Sequence, residues 1–271
     1  MVAGLMELKG QTAVITGAGS AGSGRAIACR FAREGARVVV SDINEAGGLE
    51  TVRQIEAAGG AAAFRRADVR VEQEVRELIE FAVQRFGSLG VLVNNASGPE
   101  YRPDQPLELW AEIIQTDLLG TVYGTRLAID AMRRHGGGAI VNISSISALW
   151  HGRKNPAPAV PAYDAAKAGV IRLTTMLAWL GPQENIRVNC LAPGWIASPP
   201  VRAFVDPLTP EQRKERGVPS RLLSLDEVAD AVVRLATDES LCGRILLWWS
   251  EDEPRLIPWA DRGYSDLIGY R

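Results

Sequence analysis

Histidine and cysteine are scarce in this chain of 271 residues, and each scarcity closes off a class of chemistry. Only His135 and His151 are present, too few for a histidine-built metal centre, so no metal is expected. Cys29, Cys190 and Cys242 lie far apart and form no CxxC pair. They suggest neither a disulfide framework nor a thiolate zinc site, and a reducing compartment, the cytoplasm, is the expected location. Runs of Lys or Arg are missing and the net charge is only −2, which argues against nucleic acid as a partner. No apolar run is long enough to span a membrane. Met1 to Gly10 has no basic segment leading into an apolar core, so no signal peptide is expected.

What is present describes a globular protein. Apolar residues make up 46% of the chain and charged residues 23%, enough material for a sizeable core. Neither internal repeats nor linker compositions divide the chain, so residues 1–271 read as one domain. Short apolar runs at Thr12–Thr16, Arg37–Ser41, Ala61–Ala67, Val91–Val93, Ala139–Ile143, Arg187–Leu191 and Ile245–Trp249 alternate with helical patterns. That alternation predicts an α/β fold, a parallel sheet with helices on both faces. In such a sheet functional loops gather at the carboxyl ends of the strands. Gly17 to Gly24, Asp42, Asp68 and Asn94 all fall at those ends.

Thr12–Thr16 runs directly into Gly17-Ala18-Gly19-Ser20-Ala21-Gly22-Ser23-Gly24, and a helical pattern follows with Ile27 and Phe31 on one face. A glycine turn between a buried strand and a helix lets a pyrophosphate approach the backbone and the helix N-terminus. Asp42, after the second strand, is placed to accept hydrogen bonds from an adenosine ribose and to repel the extra phosphate of NADP. It also stands three residues before Glu45, the spacing of a capping box for the next helix. With no Lys or Arg directly after Asp42, the cofactor expectation is NAD, with NADP the weaker alternative.

Tyr163-Asp164-Ala165-Ala166-Lys167 opens another helical pattern, with Val170, Ile171, Leu173, Leu177 and Leu180 at helical spacings. Residues four apart on a helix are surface neighbours. An ammonium beside a phenol favours the phenolate, so Lys167 is expected to lower the Tyr163 pKa and fit the tyrosine for proton transfer. Leu107 to His135 reads as one further long helix, closed by Gly136-Gly137-Gly138. Ser144 and Ser145 sit at the end of the fifth strand, followed by a long proline-rich stretch containing Trp150 and His151. Ile196 to Ser220, with five prolines and two short helical pieces at most, reads as a flap over the site. A helix at Leu225–Thr237 is expected to be capped near Ser224 or Asp226. The tail 250–271 carries Trp259 and Tyr264.

Assembled in this order, the glycine turn after Thr16, Asp68-Val69, Asn94-Asn95-Ala96, Ser145, Tyr163 with Lys167, and Pro193-Gly194 resemble the landmarks of the short-chain dehydrogenase/reductase family. The resemblance covers nearly the whole chain and implies a doubly wound Rossmann sheet of seven parallel strands. It implies that Tyr163 is the general acid/base, that Lys167 tunes it and holds the nicotinamide ribose, and that Ser145 orients the substrate oxygen. By the same resemblance Asp68 and Val69 hold the adenine, Asn94 lines the cofactor cleft, and Pro193-Gly194, with Ile196 beyond, frame the nicotinamide. The implied reaction interconverts a secondary alcohol and its ketone, and the implied assembly is a homotetramer or homodimer through the two long helices. Trp150, Trp195 and Phe204 are the candidates for an apolar substrate pocket.

Several positions depart from the family pattern. Gly17, Gly22 and Gly24 are spaced one residue wider than usual, whereas Gly17, Gly19 and Gly22 spell GxGxxG, leaving two readings of the phosphate contacts. Ser97 stands where a glycine is usual, and Asp117 stands where an asparagine usually supports the proton relay, which makes Asp117 a catalytic candidate of altered character. The interval from Ser145 to Tyr163 is longer than usual, and Ser250 to Pro254 replace an acidic-glycine-glycine ending. Two alternatives follow. One is an NADPH-dependent 3-oxoacyl thioester ketoreductase, with Arg25 meeting the 2′-phosphate; the other is a dinucleotide-binding protein without turnover.

Overall fold

The computed structural model describes residues 4–98, 106–149 and 160–259. Seven parallel strands form one sheet: β1 (Thr12–Thr16), β2 (Arg37–Asp42), β3 (Ala61–Arg66), β4 (Val91–Asn94), β5 (Gly138–Ile143), β6 (Ile186–Pro193) and β7 (Ile245–Trp248). Their order is β3-β2-β1-β4-β5-β6-β7, so the winding reverses between β1 and β4 and opens a crevice at their carboxyl ends. An eighth strand, β8 (Arg255–Leu256), comes from the tail and pairs antiparallel with β7. Two residues carry no readable period, which is why the sequence offered seven strands.

Side chains alternate across the sheet as the two-residue period demands. Ala13 and Ile15 of β1 pack with Ile27 and Phe31 of helix α1 (Ser23–Arg33), Ile55 of α2 (Glu45–Ala57) and Val232 of α10 (Leu225–Thr237). Val14 points the other way, into a core with Leu78 of α3 (Glu72–Phe86) and Met132 of α5 (Gly120–Arg133). Burial on both faces explains why the strands read as continuous apolar runs. Helix α10 starts in a capping box, with Ser224 and Glu227 each bonded to the other's backbone amide.

The long helix expected from Leu107 to His135 is not uniform. It consists of α4 (Leu107–Ile113), a π-helical stretch (Ile114–Leu119) and α5. A wider turn adds a residue without changing composition, so periodicity alone does not reveal it. The stretch turns Asp117 fully into the interior. Helix α6 (Pro161–Met176) carries Tyr163 and Lys167 and ends sooner than expected, with a separate short helix α7 (Leu180–Glu184) after it. The segment 196–220 holds two short helices, α8 (Pro199–Val205) and α9 (Pro210–Glu215). Among the described residues no helix is long and apolar enough to cross a membrane.

Candidate active site

A cleft of about 660 Å³ opens at the reversal point of the sheet. Its walls include Gly17, Ser20, Gly22, Gly24, Asp42, Asp68 and Val69, all singled out in the sequence, together with Arg70, Asn95, Ser97, Glu112 and Thr116. The volume suits a ligand of cofactor size.

The glycines divide the work. Gly17 adopts φ +67°, and a Cβ there would lie 2.7 Å from Ala96 Cα. A Cβ on Gly24 would run into the Gly17 carbonyl, so α1 packs directly on the end of β1. Gly19 sits against Asp42, donating its amide to Asp42 Oδ2 at 2.7 Å. Gly22 is the N-cap of α1, and a Cβ there would meet only Ser20 Oγ, at 3.6 Å. Packing therefore requires Gly17, Gly19 and Gly24, while Gly22 is the glycine left bare at the helix N-terminus facing the cleft. Asn95 staples the turn: its Nδ2 donates to the Thr16 carbonyl at 2.9 Å and its Oδ1 accepts from Ser23 Oγ at 2.8 Å.

Asp42 is not the cap of α2. That position belongs to Asn44, whose side chain accepts from the Gly47 amide at 3.0 Å. Asp42 Oδ1 instead accepts from the Asn44 amide at 2.9 Å, which aims the carboxylate at the turn and the cleft. Arg25 is committed elsewhere. Its Nε donates to Thr51 Oγ1 at 2.9 Å, and its Nη2 to the carbonyls of Gly19 at 2.9 Å and Gly47 at 3.2 Å. The guanidinium ties the glycine turn to α2.

Asp68 is on the cleft wall, but Arg70 grips its carboxylate through Nε and Nη2 and also reaches Glu112 at 2.6 Å. The hydrogen bonds from Arg70 hold the Asp68 carboxyl below the usual carboxylate range, although burial opposes them. Val69 lies beside it and packs so closely on Gly120 that a Cβ there would approach Val69 Cγ2 to 2.8 Å.

Asn94 borders a small hollow that shares Val69, Ala96 and Thr116 with the cleft wall. It is buried, and its Nδ2 donates to Thr125 Oγ1 at 3.1 Å and to Asn142 Oδ1 at 2.9 Å. Asn142 in turn donates to Thr174 of α6 at 3.0 Å. This polar ladder sets α6 against the sheet, so Asn94 acts on the site through the helix that bears Tyr163. Its neighbour Asn95 faces the cleft because consecutive residues leaving a strand point to opposite sides.

Ser145, Tyr163 and Lys167 do come together. The Tyr163 hydroxyl is hydrogen-bonded to Ser145, whose Oγ also accepts from the Ser147 amide at 3.2 Å. Lys167 Nζ lies 5.4 Å from the Tyr163 ring centroid and donates to the Ile143 carbonyl at 3.1 Å. Ser144 Oγ donates to the Lys167 carbonyl at 2.8 Å. Lys167 lowers the Tyr163 pKa as expected, but not below its ordinary value. Burial pushes the phenol up; Lys167 and Ser145 pull it down, Asp117 and Asp164 oppose them, and the pKa stands above its ordinary value. Tyr163 as a residue is half-buried.

The two departures from the family pattern meet here. Ser97 Oγ donates to Asp117 Oδ1 at 2.6 Å, and the same oxygen forms an ion pair with Lys167 Nζ at 2.9 Å. The sequence offered them as unrelated oddities, twenty residues apart.

Gly194 lies behind Ser250, its amide bonded to the Trp248 carbonyl at 2.8 Å, and Ile196 bridges to Leu223. The segment after Pro193 reaches the cleft through Ser198, Pro199 and Pro200. Trp195 and Phe204 stack on each other at 6.2 Å between centroids, with Arg216 over Phe204 at 5.5 Å. They form one stacked aromatic unit in the segment that reaches the cleft through Ser198, Pro199 and Pro200. Trp150 lies outside the described residues.

The family model for short chain dehydrogenases matches residues 11–207. The 7alpha-hydroxysteroid dehydrogenase of Escherichia coli (strain K12) is 33% identical, covering 89% of this chain and 93% of that protein. The 3beta-hydroxysteroid dehydrogenase 1 of Eggerthella lenta is 39% identical, covering 86% and 89%. A solved structure of 7alpha-hydroxysteroid dehydrogenase complexed with NADH and 7-oxo glycochenodeoxycholic acid superposes with a TM-score of 0.78 at 32% identity, covering 90% of this chain and 94% of that one. The chain belongs to the short-chain dehydrogenase/reductase family and is an oxidoreductase of CH–OH groups.

Proposed function

We propose that this protein is an NAD(H)-dependent dehydrogenase that interconverts an alicyclic secondary alcohol and its ketone. The observation that carries the reading is the Ser145–Tyr163–Lys167 cluster beside a cleft whose walls include a bare helix N-terminus and the Asp42 carboxylate. The hydroxysteroid dehydrogenases among its relatives support the alicyclic substrate. When bound, NAD supplies the acceptor for the hydride that leaves the carbinol carbon. In oxidation the Tyr163 phenolate takes the hydroxyl proton, and in reduction the phenol returns it to the carbonyl oxygen. Ser145 holds that oxygen by a hydrogen bond, and Lys167 stabilises the phenolate. The free amides of α1 and the carboxylate of Asp42 are suited to a diphosphate and a ribose diol respectively.

Fluorescence titration of the purified protein with NADH and NADPH tests the cofactor. NADH is expected to bind at least about tenfold more tightly, the effect of one unfavourable charge contact with a 2′-phosphate. Tighter NADPH binding would refute the role given to Asp42, and binding of neither would discredit the cleft as a dinucleotide site.

The raised Tyr163 pKa also sets a pH dependence. The phenol remains protonated near neutrality, so the base form needed for oxidation is scarce and gains about tenfold per pH unit. Initial rates of alcohol oxidation should climb accordingly from about pH 7 to 9, while ketone reduction stays nearly flat. An oxidation plateau near neutral pH would contradict this.

A further inference from the structure

Asp117 is wholly buried and Lys167 is 3% exposed, so their ion pair is sealed from water. A buried carboxylate is costly unless its oxygens are satisfied. Here Oδ1 accepts from Ser97 Oγ at 2.6 Å and faces Lys167 Nζ at 2.9 Å, while Oδ2 accepts from the Gly98 amide at 2.9 Å. Thr121 Oγ1 donates to the Asp117 carbonyl at 3.0 Å and pins the π-helical stretch itself. Lys167 Nζ is thus held from two directions, by Asp117 Oδ1 and by the Ile143 carbonyl. Ser97 lies on the cleft wall, so a continuous polar path runs from the cleft through Ser97, Asp117 and Lys167 to Tyr163.

We propose that Ser97 and Asp117 form one positioning unit that fixes Lys167 beneath the Tyr163 ring and adds a carboxylate to the acid/base cluster. Neither residue needs to touch the substrate for this. The added charge has two opposite effects. It keeps Lys167 an ammonium although burial favours the neutral amine, and it opposes the ionisation of Tyr163. The groups facing Tyr163 are Lys167, Asp117, Asp164 and Ser145. Those facing Lys167 are Asp117, Tyr163 and Cys190, and burial pushes the Cys190 thiol up to about 12, so it stays neutral at lower pH. Of these, Asp117 is the one carboxylate in contact with the ammonium. Ser97 donates to that carboxylate, dispersing its charge and holding it in place.

The inference rests on Tyr163 being the proton-transfer group, and its test is separated from that reading by using the full chain without cofactor or substrate. Tyrosinate absorbance is followed against pH, and each variant is corrected with its Tyr163→Phe counterpart so that the difference belongs to Tyr163. Asp117→Asn should bring the half-titration down by about one pH unit or more. Ser97→Ala should raise it by a smaller amount, and should have no effect once Asp117 is Asn. A half-titration unmoved by Asp117→Asn, or a Ser97→Ala effect equal in both backgrounds, would overturn the proposal. If Asp117→Asn does not fold, thermal melting of Lys167→Met and of Lys167→Met combined with Asp117→Asn gives the answer. The double variant should melt above Lys167→Met, because the single change strands the buried carboxylate. A double variant melting at or below Lys167→Met would refute the sealed pair.

Discussion

Tyr163→Phe is expected to lower turnover by about a thousandfold, the ordinary weight of a positioned acid/base group. The substitution deletes one oxygen and leaves the ring over Lys167 and the helix α6 packing in place. The hydroxyl that is lost is the one bonded to Ser145. Ser145 and Lys167 remain, but neither replaces it: a serine hydroxyl is a far weaker acid than a phenol, and Lys167 is engaged by Asp117 and the Ile143 carbonyl. The glycine turn and Asp42 lie on other elements, so NADH affinity should change by no more than about tenfold, the most that one hydrogen bond contributes. Steady-state kinetics at saturating alcohol, read beside an NADH titration, separate the two quantities. Turnover within about tenfold of wild type would remove Tyr163 from the mechanism.

The arrangement that makes this prediction possible was partly legible beforehand. Strand, glycine turn and helix can be read because each has a local period or a local breaker, and β1, Gly17–Gly24 and α1 fall where those signals put them. Tyr163 and Lys167 were paired in advance because helical neighbours four apart must share a face. Contacts between elements had no such signal. The Asp117–Lys167 pair joins residues fifty positions apart through a π-helical stretch, and nothing in one dimension marks either the stretch or the pairing. Charge is visible in a sequence but its direction is not, so Arg25 could be read as facing a phosphate although it spans Gly19, Gly47 and Thr51. Asp42 and Asn44 each stand three residues before a helical position, and in the fold it is Asn44 that caps α2. Gly47 carries no such signal either. A Cβ there would run into the Gly19 carbonyl, so α2 and the glycine turn touch through backbone.

That kind of contact makes Gly24→Ala the second large effect. Judged on α1 alone, the change should help, because Ala is better than Gly in a helix by about 1 kcal/mol. The packing reverses the sign. The new methyl would overlap the Gly17 carbonyl and come within 2.6 Å of Asn95 Nδ2, which is itself fixed on the Thr16 carbonyl. Overpacking against such rigid groups costs about 1–3 kcal/mol, more than the helix gains. The start of α1 must therefore shift away from β1, carrying its free amides out of register with a bound diphosphate. Losing one charge-assisted hydrogen bond weakens binding by about ten- to a hundredfold, and that loss of NADH affinity is expected together with a lower melting temperature. Gly22→Ala is the informative companion, since its Cβ has room and its φ of −125° suits any residue. Its melting temperature should match wild type while NADH binding weakens, because the methyl stands in the cleft at the helix N-terminus. Unchanged stability and affinity in Gly24→Ala would mean that α1 is not seated on the Gly17 carbonyl as described. Weakened stability in Gly22→Ala would move the packing role to the glycine assigned here to the ligand.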